Sequence, residues 1–400
     1  MTSMTAHPRL TEAKDHLEAL VAFDTVSRNP NRPLIDHMAA HLEALGADIT
    51  ILPDETGKKA NLVARFGPAD KPGLVLSGHT DVVPVDGEAW TSDPFSLEER
   101  EGKLYGRGTC DMKGFAACVM ATASDLAQTD LERPVYLCFS HDEEVGCLGA
   151  PAIAEHLKAQ PVLPEFAIIG EPSMMKLVTG QKGKIAMRAT VTGSGGHSSF
   201  APQHVNAIEY AGRAISMIQE RGTRFCEEGP FDRDFTVGHA TMLTTMVEGG
   251  VATNITPDLC AFTFELRSIA QVDAEAEMQA LITQVQETLL PAMKAISAEA
   301  DIRFERIFSY PAMGDATNDR AFQRYRPILP EWGGKVSYGS EGGVFEIQGG
   351  IPSIIVGPGS IEQAHLPDEF IEISQLEACL HFLDEVTGML SRASTDMAAQ

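Results

Sequence analysis

Four strand ends, each finishing in an acid or an imidazole, constrain this chain more than any other feature. The apolar run Gly73 to Leu76 has the length and branched residues of a buried strand, and beyond Ser77-Gly78 come His79 and Asp81. Lys103 to Gly108 reads as a short strand and turn, with Asp111 following at the start of a helix over Met112 to Leu126. Val135 to Phe139 is another buried strand, followed by Ser140-His141-Asp142-Glu143-Glu144-Val145-Gly146. Phe166 to Ile169 is a third, closed by Gly170-Glu171-Pro172. Open α/β sheets hold their ligands in the crevice beyond the carboxyl ends of such strands.

Between these runs lie helical patterns: Leu10 to Phe23, Pro33 to Leu45, a patch around Ile153 to Leu157, and a closing helix Leu376 to Leu390. Strands alternating with helices predict an α/β fold, a mixed and largely parallel sheet flanked by helices. After Gly180 the pattern changes. Ile185, Met187, Ala189 and Val191 alternate with polar residues, the mark of a strand with one wet face. A helix over Val205 to Gln219, strands at Thr241–Val247 and Leu259–Leu266, a helix over Val272 to Ala295 and a strand at Ile302–Phe308 complete the order β-α-β-β-α-β. That order predicts an inserted, ferredoxin-like α+β domain. The expected organisation is residues 1–180 and 312–400 as a catalytic domain and 181–311 as the insert. The polar tail Ser391–Gln400 is expected to fray.

Composition narrows the function. With 56 acidic and 31 basic residues the net charge is −25, which argues against nucleic acid or anionic membrane surfaces as partners. No apolar run reaches the ~18 residues of a membrane span. Met1 to Pro8 has neither the basic nor the apolar region of a signal peptide. The seven cysteines are odd in number and lack C-x-x-C spacing, so they read as reduced thiols of a cytoplasmic protein.

Carboxylates gathered at one sheet edge repel unless cations sit among them. His79, Asp111, the acids at 142–144, Glu171 and a late histidine, His365, in the loop Gly357-Pro358-Gly359-Ser360-Ile361-Glu362-Gln363-Ala364-His365, form such a set. Two histidines, one shared aspartate and two glutamates suit a pair of borderline divalent ions: zinc, cobalt or manganese. Such a pair, ~3.5–4 Å apart, activates water for hydrolysis, and one acid must stay off the metals as base. Taken alone, Asp111 fits a helix N-cap equally well. His7, His16, His37, His41, His156 and His381 read as surface or packing residues, and His141 as a neighbour of the ligands.

The ordered motifs S-G-H-T-D-V-V-P, G-R-G-T-C-D-M-K-G, D-E-E-V-G, G-E-P-S, G-G-H-S-S and G-P-G-S-I-E-Q-A-H-L-P-D-E resemble the M20 family of metallopeptidases and amidohydrolases over residues 10–390. The segment around His365 is most similar to the acetylornithine deacetylase branch. The resemblance implies that His79, Asp111 and Glu171 hold one metal and Asp111, Glu144 and His365 the other. It implies that Asp81 orients His79, and that Glu143 is the general base serving the attacking water and the leaving amine. The insert would be a lid that also forms a homodimer, and His197 would reach the partner's site to stabilise an oxyanion. Asn254 and Arg267 would contact a substrate carboxylate; a solvated arginine is the plainer reading of Arg267. Glu341, in a loop that the family places near the pocket, would pair with an ammonium. Ser340 and Gly342 depart from the family's pattern there. The implied activity is deacetylation of an N-acyl amino acid, N-acetylornithine first. A desuccinylase, aminoacylase, dipeptidase or carboxypeptidase would share the metals and differ in the pocket, and a catalytically silent binding protein could keep the fold.

Overall fold

The computed structural model describes residues 6–391, so the tail beyond Ser391 lies outside the described residues. The chain divides into two compact units: residues 1–180, 313–335 and 340–400, and residues 181–312 and 336–339. The second boundary falls one residue later than the sequence reading puts it, and residues 336–339 join the insert.

The first unit is built on an eight-stranded sheet. Its order is Asp48–Pro53, Ala60–Phe66, Val135–Ser140, Leu74–His79, Phe166–Ile169, Ser353–Ile355, Leu177–Gln181 and Trp332–Val336. The middle four strands run parallel. The pairs outside them are antiparallel at Asp48–Pro53, Ala60–Phe66 and Leu177–Gln181. Parallel strands need both faces covered. Helices Leu10–Val21, Arg32–Ala44, Gly114–Gln128, Ala150–Lys158 and Ile373–Leu390 supply apolar faces for this. Leu17, Leu20, Phe115, Val119, Leu376 and Leu380 lie in one core with Leu76, Leu137 and Ile168. Each fully buried leucine contributes ~1.5–3 kcal/mol.

Register then decides where the chemistry goes. His79 stands opposite Ser140, Ser77 opposite Ile169, and Ile355 opposite Ile169. All four parallel strands therefore stop at one edge, and their following loops carry Asp81, residues 141–144, Glu171 and His365. Two of these loops touch so closely that a side chain would not fit. A Cβ on Gly357 would lie 2.0 Å from the Gly170 carbonyl oxygen, and one on Gly170 would lie 2.1 Å from the Phe115 ring.

The second unit carries a four-stranded antiparallel sheet in the order Thr241–Gly249, Leu259–Ser268, Gly183–Thr192, Asp301–Tyr310, with helices Ala207–Glu228 and Ala274–Ile296. Ile185, Met187, Phe262, Phe264, Leu266, Leu281 and Val285 make its core. Several elements escape the sequence reading. Leu177–Gln181 and Trp332–Val336 contain glycines that dilute their strand pattern, and Phe370–Glu372 is only three residues long. The first helix of the insert runs nine residues past Gln219. Asp111 is not an N-cap: helix Gly114–Gln128 starts after it, and its own backbone is non-helical (φ −119°, ψ 93°). Among the described residues, no helix is long and apolar enough to cross a membrane.

Candidate metal centre

His79 is the last residue of its strand and is 1 % exposed. Its Nδ1 donates to the Asp81 carbonyl at 2.9 Å, so the neutral ring keeps its lone pair on Nε2. That nitrogen faces Asp111 Oδ1 at 3.1 Å and Glu171 Oε1 at 3.8 Å. The other oxygen of Asp111 faces His365 Nε2 at 3.2 Å, and Glu144 Oε1 lies 3.1 Å from the same nitrogen. Asp111 thus spans two pockets, each with one imidazole and one glutamate.

Asp81 meets His79 through its backbone. Its carboxylate is 3.7 Å from His79 Nδ1, beyond hydrogen-bond range, and its backbone carbonyl fixes the ring instead. The carboxylate accepts from Ser27 Oγ at 2.6 Å and from the backbone N–H groups of Glu143 and Glu144 at 3.0 and 3.3 Å. It therefore anchors the turn that carries both glutamates. Asp142 lies outside the cluster, paired with Lys59 at 2.6 Å and with His141 at 3.2 Å. Cys147 donates to Glu143 Oε1 at 3.2 Å. His365 sits at φ +60°, a left-handed conformation that costs a non-glycine residue ~1–3 kcal/mol and clusters at functional sites.

The electrostatics follow from burial and proximity. Burial pushes the Glu143 and Glu171 carboxyls well above the ordinary range, with neighbouring acids adding to it at Glu171, and raises Glu144 to about 7. Burial also opposes charge on Asp111, but His365 and His79 outweigh it and hold Asp111 below the ordinary range. Burial disfavours a charged His79, yet Asp111 and Glu171 more than reverse this. Asp111 and Glu144 lift His365 to about 10. Such an array calls for positive charge. Its fit to metal ions rests on Glu171 Oε1, a buried oxygen with no hydrogen-bond partner in the protein, and on the His79 lone pair aimed toward it. Donor atoms of His79, Asp111 and Glu144, and of His79, Glu143 and Glu171, each gather within 4.8 Å.

A third group, His7, His381 and Asp384, is equally compact but chemically different. His7 Nδ1 accepts the Arg9 N–H at 3.1 Å, which leaves the proton on Nε2, donated to Asp384 at 2.9 Å. That nitrogen has no lone pair for a metal.

Sequence similarity decides the family. The model of peptidase family M20/M25/M40 matches residues 75–387. The chain belongs to that family. Membership makes it a metal-dependent amide hydrolase. It is 35 % identical over 366 residues to an acetylornithine deacetylase of Proteus mirabilis, covering 90 % of each chain. It is 32 % identical to an acetylornithine deacetylase of Pasteurella multocida, covering 92 % of this chain and 96 % of that one. In fold it is similar to an M20 family metallo-carboxypeptidase of Sulfolobus solfataricus (TM-score 0.73, 17 % identity, 95 % and 99 % of the two chains). It is similar also to human carnosine dipeptidase 1 (TM-score 0.66, 16 % identity, 96 % and 97 %).

The remaining expected residues lie elsewhere. His197, Asn254 and Arg267 belong to the second unit. His197 pairs with Ile255 in a two-residue ladder, and the Ser198 N–H donates to the Asn254 carbonyl at 3.0 Å, so these two loops are neighbours. Arg267 Nε donates to Glu265 at 3.0 Å, and Lys184 meets the same carboxylate at 2.7 Å. Glu341 is not an open loop acid. It is 1 % exposed, and one of its carboxylate oxygens accepts from Ser77 Oγ at 2.9 Å. The sequence reading also passed over Arg107 and Glu369, both 1 % exposed and 3.0 Å apart. Their signal was a charged residue inside each of two quoted glycine- and proline-punctuated motifs.

Proposed function

We propose that this hydrolase removes the acetyl group from an N-acetyl amino acid, N-acetyl-L-ornithine first, at two divalent metal ions. The carrying observation is Asp111, whose two oxygens face His79 and His365 on opposite sides. In this reading His79, Asp111 and Glu171 hold one ion and Asp111, Glu144 and His365 the other. The ions, zinc with cobalt and manganese as alternatives, would polarise the scissile carbonyl and make a water acidic enough to attack near neutral pH. The chain's own residues do the rest. The Asp81 carbonyl fixes the tautomer and angle of His79. Glu144 faces His365 and Glu171 faces His79, which leaves Glu143 as the base that takes the proton of the attacking water and returns it to the leaving amine.

The choice of acyl group and amino acid is supported by the relatives named acetylornithine deacetylase, which match some nine-tenths of the chain. Arg267 and Asn254 are assigned to the substrate's carboxylate and His197 of a second copy to the developing oxyanion. Self-association through the second unit is supported by its outermost strand Thr241–Gly249, where Leu243, Met246 and Val247 are each more than half exposed. The deciding comparison is kcat/KM for N-acetylornithine against N-acetylcitrulline, N-acetylmethionine and N-succinyl-diaminopimelate. The expected order puts N-acetylornithine first. A neutral or succinylated compound preferred tenfold, ~1.4 kcal/mol of transition-state binding, overturns the substrate and leaves the hydrolase.

A further inference from the structure

Asp111 carries the geometry of the site, yet no regular element holds it. Its backbone is neither helix nor strand, and the helix that follows begins three residues later. What fixes it is a carboxylate from a distant part of the chain. Glu369 Oε1 accepts from the backbone N–H groups of Cys110 and Asp111, at 2.9 and 3.0 Å. Glu369 Oε2 accepts from the Gly108 N–H at 2.9 Å and from Arg107 Nη1 at 3.0 Å. The Glu369 carbonyl also receives the Gly106 N–H at 3.0 Å. The loop 106–111 is thus wrapped around an internal anion, much as a glycine-rich turn wraps a bound one.

Arg107 extends the arrangement. Its guanidinium donates to the carbonyls of Leu366 at 3.2 Å and Pro84 at 3.4 Å, pairs with Glu88, and lies 5.0 Å from the centre of the Trp90 ring. Leu366 follows His365 directly. One carboxylate and one guanidinium, both sealed from water, therefore join the Asp111 loop, the His365 loop and the segment after the His79 strand. A buried ion pair is a poor source of net stability, since desolvation offsets the attraction. Here four hydrogen bonds saturate the acid, three of them from the backbone around Asp111.

We propose that Glu369 is a positioning residue that sets Asp111, and through Arg107 the His365 loop, in place for both metal ions before either ion arrives. The inference rests on the dinuclear reading above. It adds a residue that touches neither metal nor substrate and that acts through the backbone of the shared ligand. Outer partners that orient a ligand in this way typically govern about ten- to a hundredfold in metal affinity.

The test uses Glu369→Gln in the full chain, stripped of metal and titrated with Co2+. The amide keeps the shape but turns an NH2 group on two of the donors. Wild-type protein in the same titration reports on the dinuclear reading itself: if it binds no Co2+, that reading fails, whatever the variant does. With wild-type binding in hand, the expected result is a folded, cooperatively melting variant whose Co2+ affinity falls at least tenfold and whose visible d–d bands change. Glu362→Gln, an exposed acid of the same loop, is expected to match wild type. A Glu369→Gln protein with lower melting temperature but wild-type Co2+ affinity and spectrum overturns the proposal, leaving a purely structural role. Should Glu369→Gln not fold, Glu369→Asp keeps the charge and withdraws it by one methylene. It is then expected to fold with weakened Co2+ binding, and wild-type binding by that variant overturns the proposal equally.

Discussion

The two units of this chain treat charge in opposite ways. In the second unit the core is apolar, and Lys182 is the one buried residue there, among the described residues, with a formal charge. In the first, His79, Asp81, Arg107, Asp111, Lys113, Asp142, Glu171, Glu341 and Glu369 are all buried. Both units have sheets and helices, and both have ample apolar packing. The difference is where strands stop. The antiparallel strands of the second unit alternate in direction, so their carboxyl ends divide between the two edges of the sheet. The four parallel strands of the first unit end together, and each is followed by a loop that can be loaded with donors. Burying so many carboxylates side by side costs several kcal/mol per uncompensated charge. Asp142 and Glu369 are offset by Lys59 and Arg107, whereas the cluster of His79, Asp111, Glu144 and Glu171 calls for added cations.

The largest expected effect sharpens this contrast at its centre. Glu143→Ala is expected to retain both ions and lose about 10²–10⁴-fold in turnover, the usual contribution of a general base. Metal analysis beside steady-state assays checks it. A variant that keeps most of its activity with normal metal content removes Glu143 from the mechanism, and one that loses metal makes Glu143 a ligand.

The second effect follows from protonation. In the metal-free protein burial raises the carboxyls of Glu144 and Glu171 above the ordinary range, Glu144 to about 7. A carboxyl whose folded pKa is raised stabilises the fold below its ordinary value and loses that contribution as pH climbs through the raised one. Metal ions compete for the same oxygens and bind the deprotonated set. The rise in Tm caused by saturating Zn2+ is therefore expected to grow from pH 5 to pH 8. A pH-independent or falling increment would mean that these carboxylates are not the ligands.

The smallest effect belongs to the second unit. Val247→Lys puts a charge on an exposed edge strand of the second unit. Sedimentation is expected to show a shift from dimer to monomer, with metal content unchanged. Unchanged association would move the proposed contact elsewhere.

Much of this was legible from residues. Apolar runs of branched side chains, punctuated by Gly78, Gly146 and Gly170, mark the parallel strands, and His79, Asp111, Glu144, Glu171 and His365 stand out as acids and imidazoles at or after strand ends. Register could not be read, and register is what brings His79 opposite Ser140 and lets Asp111 face two histidines. The parts played by backbone groups were also invisible. Asp81 works through its carbonyl as well as its carboxylate, and Glu369 works on N–H groups that any residue would supply. The burial of Glu341, which accepts from Ser77 Oγ, is likewise invisible in a glycine-rich stretch of sequence.

The central claim is that the loaded edge of the first unit is a two-ion site with Asp111 shared. Calorimetric titration of the metal-stripped chain with Zn2+, repeated on Asp111→Asn, tests it most directly. Two ions per chain are predicted for the wild type, with both weakened together in the variant. A stoichiometry below two, or a variant that loses one ion and binds the other normally, would contradict it.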